Sequence, residues 1–364
     1  MLSAQDSVWM AQALHLAERG LYTTSPNPRV GCVLVKEEKL IAEGWHERAG
    51  EAHAEVHALR AAGDRARGAT AYVTLEPCSH HGRTPPCADA LIAAGIARVV
   101  IAMQDPNPQV AGQGIARLQA AGIAVECGLM EASAIALNLG FISRMIGGMP
   151  LLRSKIAMSL DGRTALSNGA SQWITGAPAR RDGHHWRARS CAVLTGIGTV
   201  LADDAQLSVR EVETSRQPLR VVLDSTLRIP LTARILQGGG TLIYTAMRDA
   251  QKIAMLEQAG AAVVVLPSGN GRIDLAACMQ DLAARGCNEV LVEAGPTLNG
   301  ALMQAGLLNE LVLYLAPQLL GDMARGMAQL GELTRLAQRI ELGWQDVRQI
   351  GQDLRIIATV KNNM

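Results

Sequence analysis

Residues 71–94 read AYVTLEPCSHHGRTPPCADALIAA, and this stretch is the most informative about the fold of the first half of the chain. Ala71 to Leu75 is a short apolar run that is typical of a buried strand, and Asp89 to Ala94 has the composition of a helix. Cys78 and Cys87 lie in the connection between these two elements. The pattern therefore predicts a strand, a loop and a helix that place two thiols near the start of the helix.

The same alternation of strands and helices extends outward through the first half. Further helices are predicted at Ser7–Arg19, His53–Ala62 and Gly114–Ala121, and further strands at Val30–Val35, Leu40–Gly44, Arg98–Met103 and Ala124–Cys127. Short apolar strands that alternate with helices predict a three-layer α/β sheet containing parallel strands. Residues 146–150 contain two glycines and a proline, which predicts a boundary between one domain at 1–146 and another at 150–364.

The second half restarts the alternation and predicts a second α/β domain. Strands are predicted at Leu152–Met158, Ala192–Thr195, Leu219–Leu223, Thr241–Tyr244, Ala262–Leu266, Glu289–Val292 and Leu311–Leu315, and a strand pair at Trp344–Val360. Helices are predicted at Pro178–Ala188, Ala250–Gln258, Leu275–Arg285 and Thr297–Ala305.

Composition narrows the classes of function. The 364 residues carry a net charge of +1 and only 3% aromatic residues, which argues against a nucleic-acid partner. No apolar run reaches the roughly 18 residues that a membrane span needs, and the N-terminus lacks the apolar region of a signal peptide. The seven cysteines are scattered and do not indicate a disulfide framework. We therefore expect a cytoplasmic protein.

The most specific motif is His53-Ala54-Glu55, followed by Cys78 and Cys87. One imidazole and two thiolates suit Zn²⁺ with a fourth position left for water, and Glu55 could move protons to and from that water. A histidine two residues before a glutamate, combined with paired cysteines, is the signature of zinc deaminases. A structural zinc site remains an alternative, because His80 or His81 could supply a fourth ligand. Coincidental burial of the two cysteines is another.

Together with Ser25–Cys32, these motifs resemble the deaminase domain of the bifunctional riboflavin-biosynthesis RibD family. The long connection between Cys78 and Cys87 distinguishes that family from cytidine and tRNA-adenosine deaminases. The resemblance implies a cytidine-deaminase-like domain in which His53, Cys78 and Cys87 hold zinc and Glu55 carries protons. It also implies that Asn27 lies in the pocket, although an ordinary Asn-Pro turn would explain that residue equally well.

Two glycine-containing loops follow predicted strands of the second half, at residues 196–201 and 293–300. Backbone N–H groups at a helix start can hold phosphate, so two such loops suggest a dinucleotide across the carboxyl edge of a sheet. The first loop lacks the third glycine of the dinucleotide fingerprint, and a plain strand-to-helix turn remains open there. Arg187 and Arg210 suit a sugar phosphate, or they are ordinary ion-pair residues.

This half resembles the reductase domain of the same family, whose fold is similar to dihydrofolate reductase. The resemblance implies NADPH contacts from Ala157, Trp173, Thr199, Asp203, Ser225, Gly295, Pro296, Thr297, Leu298, Asn299 and Gly300. It implies substrate contacts from Ser171, Arg187, Leu207, Arg210 and Glu293. Lys155, which stands in an apolar strand pattern, is a further substrate candidate unless its amine only reaches solvent.

The resemblance implies a bifunctional enzyme with one zinc ion per chain and NADPH. The first domain would deaminate 2,5-diamino-6-(5-phosphoribosylamino)pyrimidin-4(3H)-one, and the second would reduce the ribosyl group of the product to ribityl. We expect a homo-oligomer, a dimer or tetramer, that acts on this small molecule. The alternatives are a nucleoside or tRNA-base deaminase fused to a nucleotide-binding domain, and a zinc-stabilised nucleotide sensor without turnover.

Overall fold

A computed structural model describes residues 2–79, 85–108 and 110–361. The chain divides into two compact units, Met1–Met149 and Pro150–Met364. Within the described ranges, no helix has the length and apolar character needed to cross a membrane.

In its described part, the first unit contains five helices and one five-stranded sheet. The helices are α1 (Ala4–Glu18), α2 (Ala54–Ala62), α3 (Cys87–Ala93), α4 (Gln113–Ala120) and α5 (Glu131–Gly147). The strands are β1 (Gly31–Lys36), β2 (Lys39–Trp45), β3 (Thr70–Val73), β4 (Arg98–Ile101) and β5 (Ala124–Cys127). Their order in the sheet is β2-β1-β3-β4-β5, with β3, β4 and β5 parallel.

Strand β1 shows why this unit has three layers. Its side chains alternate, so that Cys32 and Leu34 pack in one apolar cluster while Val33 and Val35 pack in another. The first cluster includes residues of α2, α3 and α4, and the second includes residues of α1 and α5. The predicted three-layer α/β arrangement is therefore confirmed.

Helix α5 was not predicted from the sequence. It bends at Asn138, whose backbone is not helical, and the buried side chain of Asn138 bonds to the backbone of Arg29. Its Oδ1 accepts from the Arg29 N–H at 2.8 Å, and its Nδ2 donates to the Arg29 carbonyl at 3.0 Å. A side chain thus satisfies both backbone polar groups of Arg29, two residues after Asn27.

The second unit has eleven strands, counted over the described residues, of which nine form one large sheet and two form a small separate sheet. Its strands are β6 (Leu151–Ser159), β7 (Arg163–Ala165), β8 (Ala192–Gly196), β9 (Leu219–Leu223), β10 (Thr241–Thr245), β11 (Ala261–Val265), β12 (Glu289–Val292), β13 (Glu310–Ala316), β14 (Arg325–Gly326), β15 (Glu341–Ile350) and β16 (Asp353–Lys361). Its helices are α6 (Ala177–Arg189), α7 (Ile197–Asp203), α8 (Ala250–Gln258), α9 (Leu275–Ala284) and α10 (Pro296–Gln304).

The order of the large sheet is β11-β10-β9-β8-β12-β6-β13-β16-β15, and β7 pairs separately with β14. The first seven strands in this order, β11-β10-β9-β8-β12-β6-β13, run parallel to one another. Strand β16 pairs antiparallel with β13 and forms the antiparallel C-terminal hairpin with β15. Strands β9, β8, β12 and β6 are successive neighbours. Because parallel strands end at the same edge of a sheet, the segments that follow β8 and β12 lie side by side.

Candidate functional sites

The first candidate site joins the ends of three elements of the first unit. His53 is the residue immediately before α2, Cys78 follows β3, and Cys87 is the first residue of α3. The Nδ1 atom of His53 lies 3.7 Å from Cys78 Sγ and 3.3 Å from Cys87 Sγ. A tetrahedral zinc ion with ordinary bond lengths would separate its nitrogen and sulfur ligands by about 3.6 Å. The donor set and its spacing therefore fit zinc.

The two thiols of this site share their protons unequally. Hydrogen bonds from the Cys87 thiol and His53 lower the pKa of Cys78 to about 4, and the Cys87 backbone N–H also donates to Cys78 Sγ, at 3.3 Å. The bond to Cys78, together with burial, raises the pKa of Cys87. One sulfur is thus ready as a thiolate, which is the form that binds a metal, and a metal would displace the remaining proton.

Glu55 projects from the first turn of α2, two residues beyond His53. Its side chain is buried, and Oε2 has no hydrogen-bond partner among the described residues. Burial raises the pKa of this carboxyl, while the nearby charge of His53 opposes the rise. On a regular helix two such positions would diverge, but His53 has extended backbone angles outside α2. A buried carboxyl with an unused oxygen therefore stands beside the three ligands.

Asn27 reaches the same region through His46. The Nδ2 atom of Asn27 lies 3.0 Å from His46 Nε2, and His46 Nδ1 lies 3.0 Å from the carbonyl oxygen of Ala52. The rings of His46 and His53 meet edge to face, with their centroids 5.4 Å apart. His46 was not predicted as a site residue, because a lone histidine after a strand carries no local signal.

Within the described ranges, His53, Cys78 and Cys87 form the metal-ligand group that the structure brings together. His80 and His81, the candidates for a fourth ligand, lie outside the described residues.

The second unit places its two glycine-containing loops next to each other. Gly196 ends β8 and precedes α7, while Gly295 follows β12 and precedes α10. Strands β8 and β12 are direct neighbours, with Val292 opposite Leu194. Both loops therefore begin helices at one sheet edge, and the first N–H groups of a helix have no partner inside the helix.

A cluster of charged side chains lies beside the second loop. Glu293 forms a two-point ion pair with Arg187, with Nε–Oε1 and Nη2–Oε2 distances of 2.5 and 2.9 Å. Lys155 Nζ lies 3.5 Å from Glu293 Oε2. Although burial opposes ionisation, Arg187 and Lys155 hold the pKa of Glu293 well below its usual range. The cluster thus contains an ionised, largely buried glutamate between two cations.

The segment 207–210 completes this cluster. Arg187 Nη1 donates to the carbonyl of Ser208, and the exposed Arg210 side chain donates to Ser208 Oγ at 3.1 Å. His184 Nδ1 accepts from the Arg210 backbone N–H at 3.2 Å. Burial, reinforced by Arg187 and Arg210, lowers the pKa of His184 to about 4. His184 was missed in the sequence, although its position three residues before Arg187 places both on one helix face.

The remaining predicted contacts fall on different surfaces. Trp173 is 68% exposed and stacks with Arg180, whose guanidinium lies 4.5 Å from the ring centroid. Leu207 is buried. Asn299 is also buried, and its side chain bonds to Ser154 and the backbone. The predicted residues that are partly or fully exposed are Ala157, Ser171, Thr199, Asp203, Ser225, Gly295, Pro296, Thr297 and Leu298.

Gly300 has a steric role in α10. A Cβ atom at this position would lie 2.0 Å from the backbone oxygen of Gln329. The helix can therefore approach residues 327–329 this closely because residue 300 has no side chain.

Two protein families match the two halves of the chain. The cytidine and deoxycytidylate deaminase zinc-binding region matches residues 3–103, which include His53, Glu55, Cys78 and Cys87. The RibD C-terminal domain matches residues 150–356.

Relatives match over nearly the full length. The riboflavin biosynthesis protein RibD of Escherichia coli is 52% identical and covers 96% of this chain and 98% of its own. The Haemophilus influenzae protein of that name is 47% identical and covers 99% of this chain and 98% of its own. The structure of Acinetobacter baumannii RibD superimposes with a TM-score of 0.92 at 48% identity, covering 98% of this chain and 99% of its own.

A Thermotoga maritima structure described as a diaminohydroxyphosphoribosylaminopyrimidine deaminase/5-amino-6-(5-phosphoribosylamino)uracil reductase gives a TM-score of 0.88 at 31% identity, over 98% of this chain and 99% of its own. The predicted cytidine-deaminase-like and reductase folds are confirmed by these matches. The chain belongs to the RibD family, the bifunctional deaminase/reductase enzymes of riboflavin biosynthesis.

Proposed function

We propose that residues 1–146 hydrolyse the 2-amino group of 2,5-diamino-6-(5-phosphoribosylamino)pyrimidin-4(3H)-one, and that residues 150–364 reduce the product with NADPH. The products are 5-amino-6-(5-phosphoribosylamino)uracil and then 5-amino-6-(5-phosphoribitylamino)uracil. The observation that carries the first reaction is the group of His53, Cys78 and Cys87 beside the unpartnered Glu55 oxygen. Membership of the RibD family carries the pairing of the two reactions.

In this proposal one zinc ion is held by His53, Cys78 and Cys87. A bound zinc ion lowers the pKa of a coordinated water to about 7, which provides a nucleophile near neutral pH. Glu55 takes a proton from the attacking water and delivers it to the amine that leaves as ammonia. Its raised pKa suits both tasks, because a group that must accept and release protons works best when its pKa approaches the working pH.

We assign Asn27 to recognition of the pyrimidine ring. Its amide offers both a donor and an acceptor to the ring edge. The contact with His46 uses Nδ2 of this amide, because His46 Nδ1 carries the hydrogen that it donates to Ala52. In this arrangement Asn27 keeps its oxygen and one N–H for the substrate.

In the reductase half, we assign the substrate to Lys155, Arg187, Arg210 and Glu293, with Ser171 and Leu207 beside them. Arg210 is exposed and suits the phosphate. Arg187 uses three of its five N–H donors on Glu293 and Ser208 in the described contacts, which leaves two for the substrate. The ionised Glu293 keeps both cations oriented.

We assign NADPH to the sheet edge formed by the two glycine-containing loops. Its phosphates would meet the backbone N–H groups at the starts of α7 and α10, and its rings would meet more exposed groups such as Trp173. The full set of proposed NADPH residues is Ala157, Trp173, Thr199, Asp203, Ser225 and Gly295 through Gly300. Hydride transfer is the chemistry of the cofactor, so these residues orient it.

We also propose that the enzyme is cytoplasmic and forms a dimer or tetramer. The outer hairpin strand β15 supports association, because Trp344 and Val347 are 64% and 57% exposed there. Light scattering of the purified enzyme measures the oligomeric state.

A coupled assay tests the proposed function. The diaminopyrimidine substrate and NADPH are supplied together, and ammonia and the nicotinamide absorbance are followed. We expect one ammonia released and one NADPH consumed per substrate. A nucleotide sensor would bind without releasing ammonia. A tRNA deaminase would instead bind tRNA in a salt-dependent gel-shift titration and leave the diaminopyrimidine unchanged.

A further inference from the structure

Glu76 lies between β3 and the ligand Cys78, and its side chain is almost fully buried. Its two carboxylate oxygens accept four backbone N–H groups, two from the segment before α4 and two from the first turn of α4. Oε1 accepts from Gly114 at 2.8 Å and Ile115 at 3.2 Å, while Oε2 accepts from Gly112 at 2.9 Å and Asp105 at 3.1 Å. A single side chain thus binds the β3 end to the segment 105–115.

These bonds replace the cap that α4 lacks. The first N–H groups of a helix have no partner inside the helix, and a negative charge is favourable at that end. Gly112 stands at the N-cap position of α4 and has no side chain to accept them. The Glu76 carboxylate accepts these N–H groups from another part of the chain. Helix α4 therefore begins directly beside the segment that carries Cys78.

Three further contacts fix α4 against both cysteine-bearing segments. A Cβ atom at Gly114 would lie 2.0 Å from the carbonyl oxygen of Pro77, so the backbones touch there. One turn later, Arg117 Nη1 donates to the Ser79 carbonyl at 3.2 Å, and Arg117 Nε lies 2.5 Å from an Asp89 oxygen. Pro77 and Ser79 flank Cys78, and Asp89 follows Cys87 by two residues.

We infer that Glu76 and Arg117 are positioning residues of the deaminase metal site, which hold Cys78 and Cys87 at zinc-binding separation by fixing both segments to α4. Eight residues separate the two cysteines in the sequence, so their spacing alone does not hold the sulfurs together. The inference rests on the proposed binding of zinc by His53, Cys78 and Cys87.

The test uses the full-length, zinc-loaded enzyme and Glu76→Gln. This change keeps the side-chain shape but turns an N–H₂ group toward backbone donors, so two acceptor contacts are lost. We expect zinc release to a chelator to accelerate by about 10- to 150-fold, the effect of losing charge-assisted hydrogen bonds. The absorption bands of the Co²⁺-substituted protein should change as well, because they report the geometry of the ligands. Reduction of the pre-deaminated substrate should remain unchanged.

Asp6→Asn is the matched control. Asp6 is another buried carboxylate of this unit, bound to Arg98 at the amino end of β4 and to Tyr72. Replacing the Asp6 carboxylate should lower the stability of the first unit and leave the Co²⁺ bands unchanged. If Asp6→Asn accelerates zinc release and alters the Co²⁺ bands as much as Glu76→Gln does, Glu76 acts only through overall stability and the inference is overturned.

Arg117 supplies a second variant if Glu76→Gln fails to fold, because its side chain is 44% exposed and tolerates replacement. Arg117→Met should accelerate zinc release, and Arg117→Lys should accelerate it less, because lysine keeps the positive charge. If the folded variants release zinc at the wild-type rate and keep the wild-type Co²⁺ bands, the inference is overturned and the proposed function is not affected. A wild-type enzyme that neither binds zinc nor releases ammonia would instead overturn the proposed function.

Discussion

Glu55 is a buried carboxyl at the first candidate site and Glu293 a largely buried one at the second, yet their environments drive their pKa values in opposite directions. Glu55 faces one imidazole and two thiols, and burial raises its pKa. Glu293 is paired with Arg187 and Lys155, which lower its pKa although its side chain is only 11% exposed. The difference shows that burial alone does not decide ionisation. The first carboxyl is suited to exchange protons, and the second to remain charged and hold cations.

The largest effect should come from removing a metal ligand. We expect His53→Ala to abolish ammonia release, because two thiolates and water make a weak zinc site, and to leave reduction of the pre-deaminated substrate close to the wild-type rate. Metal analysis and assays of both half-reactions measure this. If folded, zinc-free protein cannot reduce the deaminated intermediate, the two reactions do not have separate sites.

Glu55→Gln separates proton transfer from metal binding. We expect zinc to stay bound, because all three ligands remain, and deamination to fall by about 10⁴-fold, the upper range for a general acid–base group. Metal content and ammonia release are measured on the same sample. A near-normal rate with full zinc would remove Glu55 from the mechanism.

Arg187→Met tests the cationic side of the comparison. We expect reduction of the phosphorylated substrate to weaken by about 10- to 150-fold, as for loss of a charge-assisted hydrogen bond, with a much smaller effect on the dephosphorylated analogue. The kcat/KM values of both compounds are compared, and deamination serves as the internal control. Equal losses on both compounds would mean that Arg187 acts only by orienting Glu293.

The smallest expected effect concerns stability and pH. Because the pKa of Glu293 is lower in the folded state, the unfolded chain takes up its proton first as the pH falls below about 4.5. Glu293 therefore stabilises the fold above that pH and loses this contribution on acidification. Urea unfolding at pH 7 and pH 4 should show a pH-dependent loss that is about 1 kcal/mol smaller in Glu293→Gln. If the wild type and Glu293→Gln lose the same unfolding free energy between pH 7 and pH 4, Glu293 is not held ionised in the folded state.

The metal site could be predicted from the sequence because each ligand stands at the end of a strand or helix with a strong local pattern. The cluster around Glu293 could not be found that way. Arg187 and Lys155 lie 106 and 138 residues from Glu293, and only the sheet order brings them together. The family resemblance supplied Arg187 and Glu293 as candidates, the strand pattern supplied Lys155, and the structure supplied their pairing.

Helix α5 was missed for a different reason. Its residues are apolar on most faces, which weakens the periodic pattern that reveals an amphipathic helix, and its backbone leaves the helical conformation at Asn138. The cap that Glu76 provides to α4 was equally invisible, because the carboxylate lies 38 residues before Gly114. Long-range side-chain contacts to backbone have no signature in local periodicity.

The bonds of Asn138 to the Arg29 backbone determine where the first unit can be cut. The region matched by the deaminase family ends at residue 103, just beyond β4, although it contains every proposed zinc ligand. A fragment ending there would lose Asn138, and the N–H and carbonyl of Arg29 would need new partners at a cost of about 1–3 kcal/mol each if they stayed buried. The smallest piece able to fold alone therefore extends through α5, and shorter fragments should aggregate even when they contain all four residues of the zinc motif.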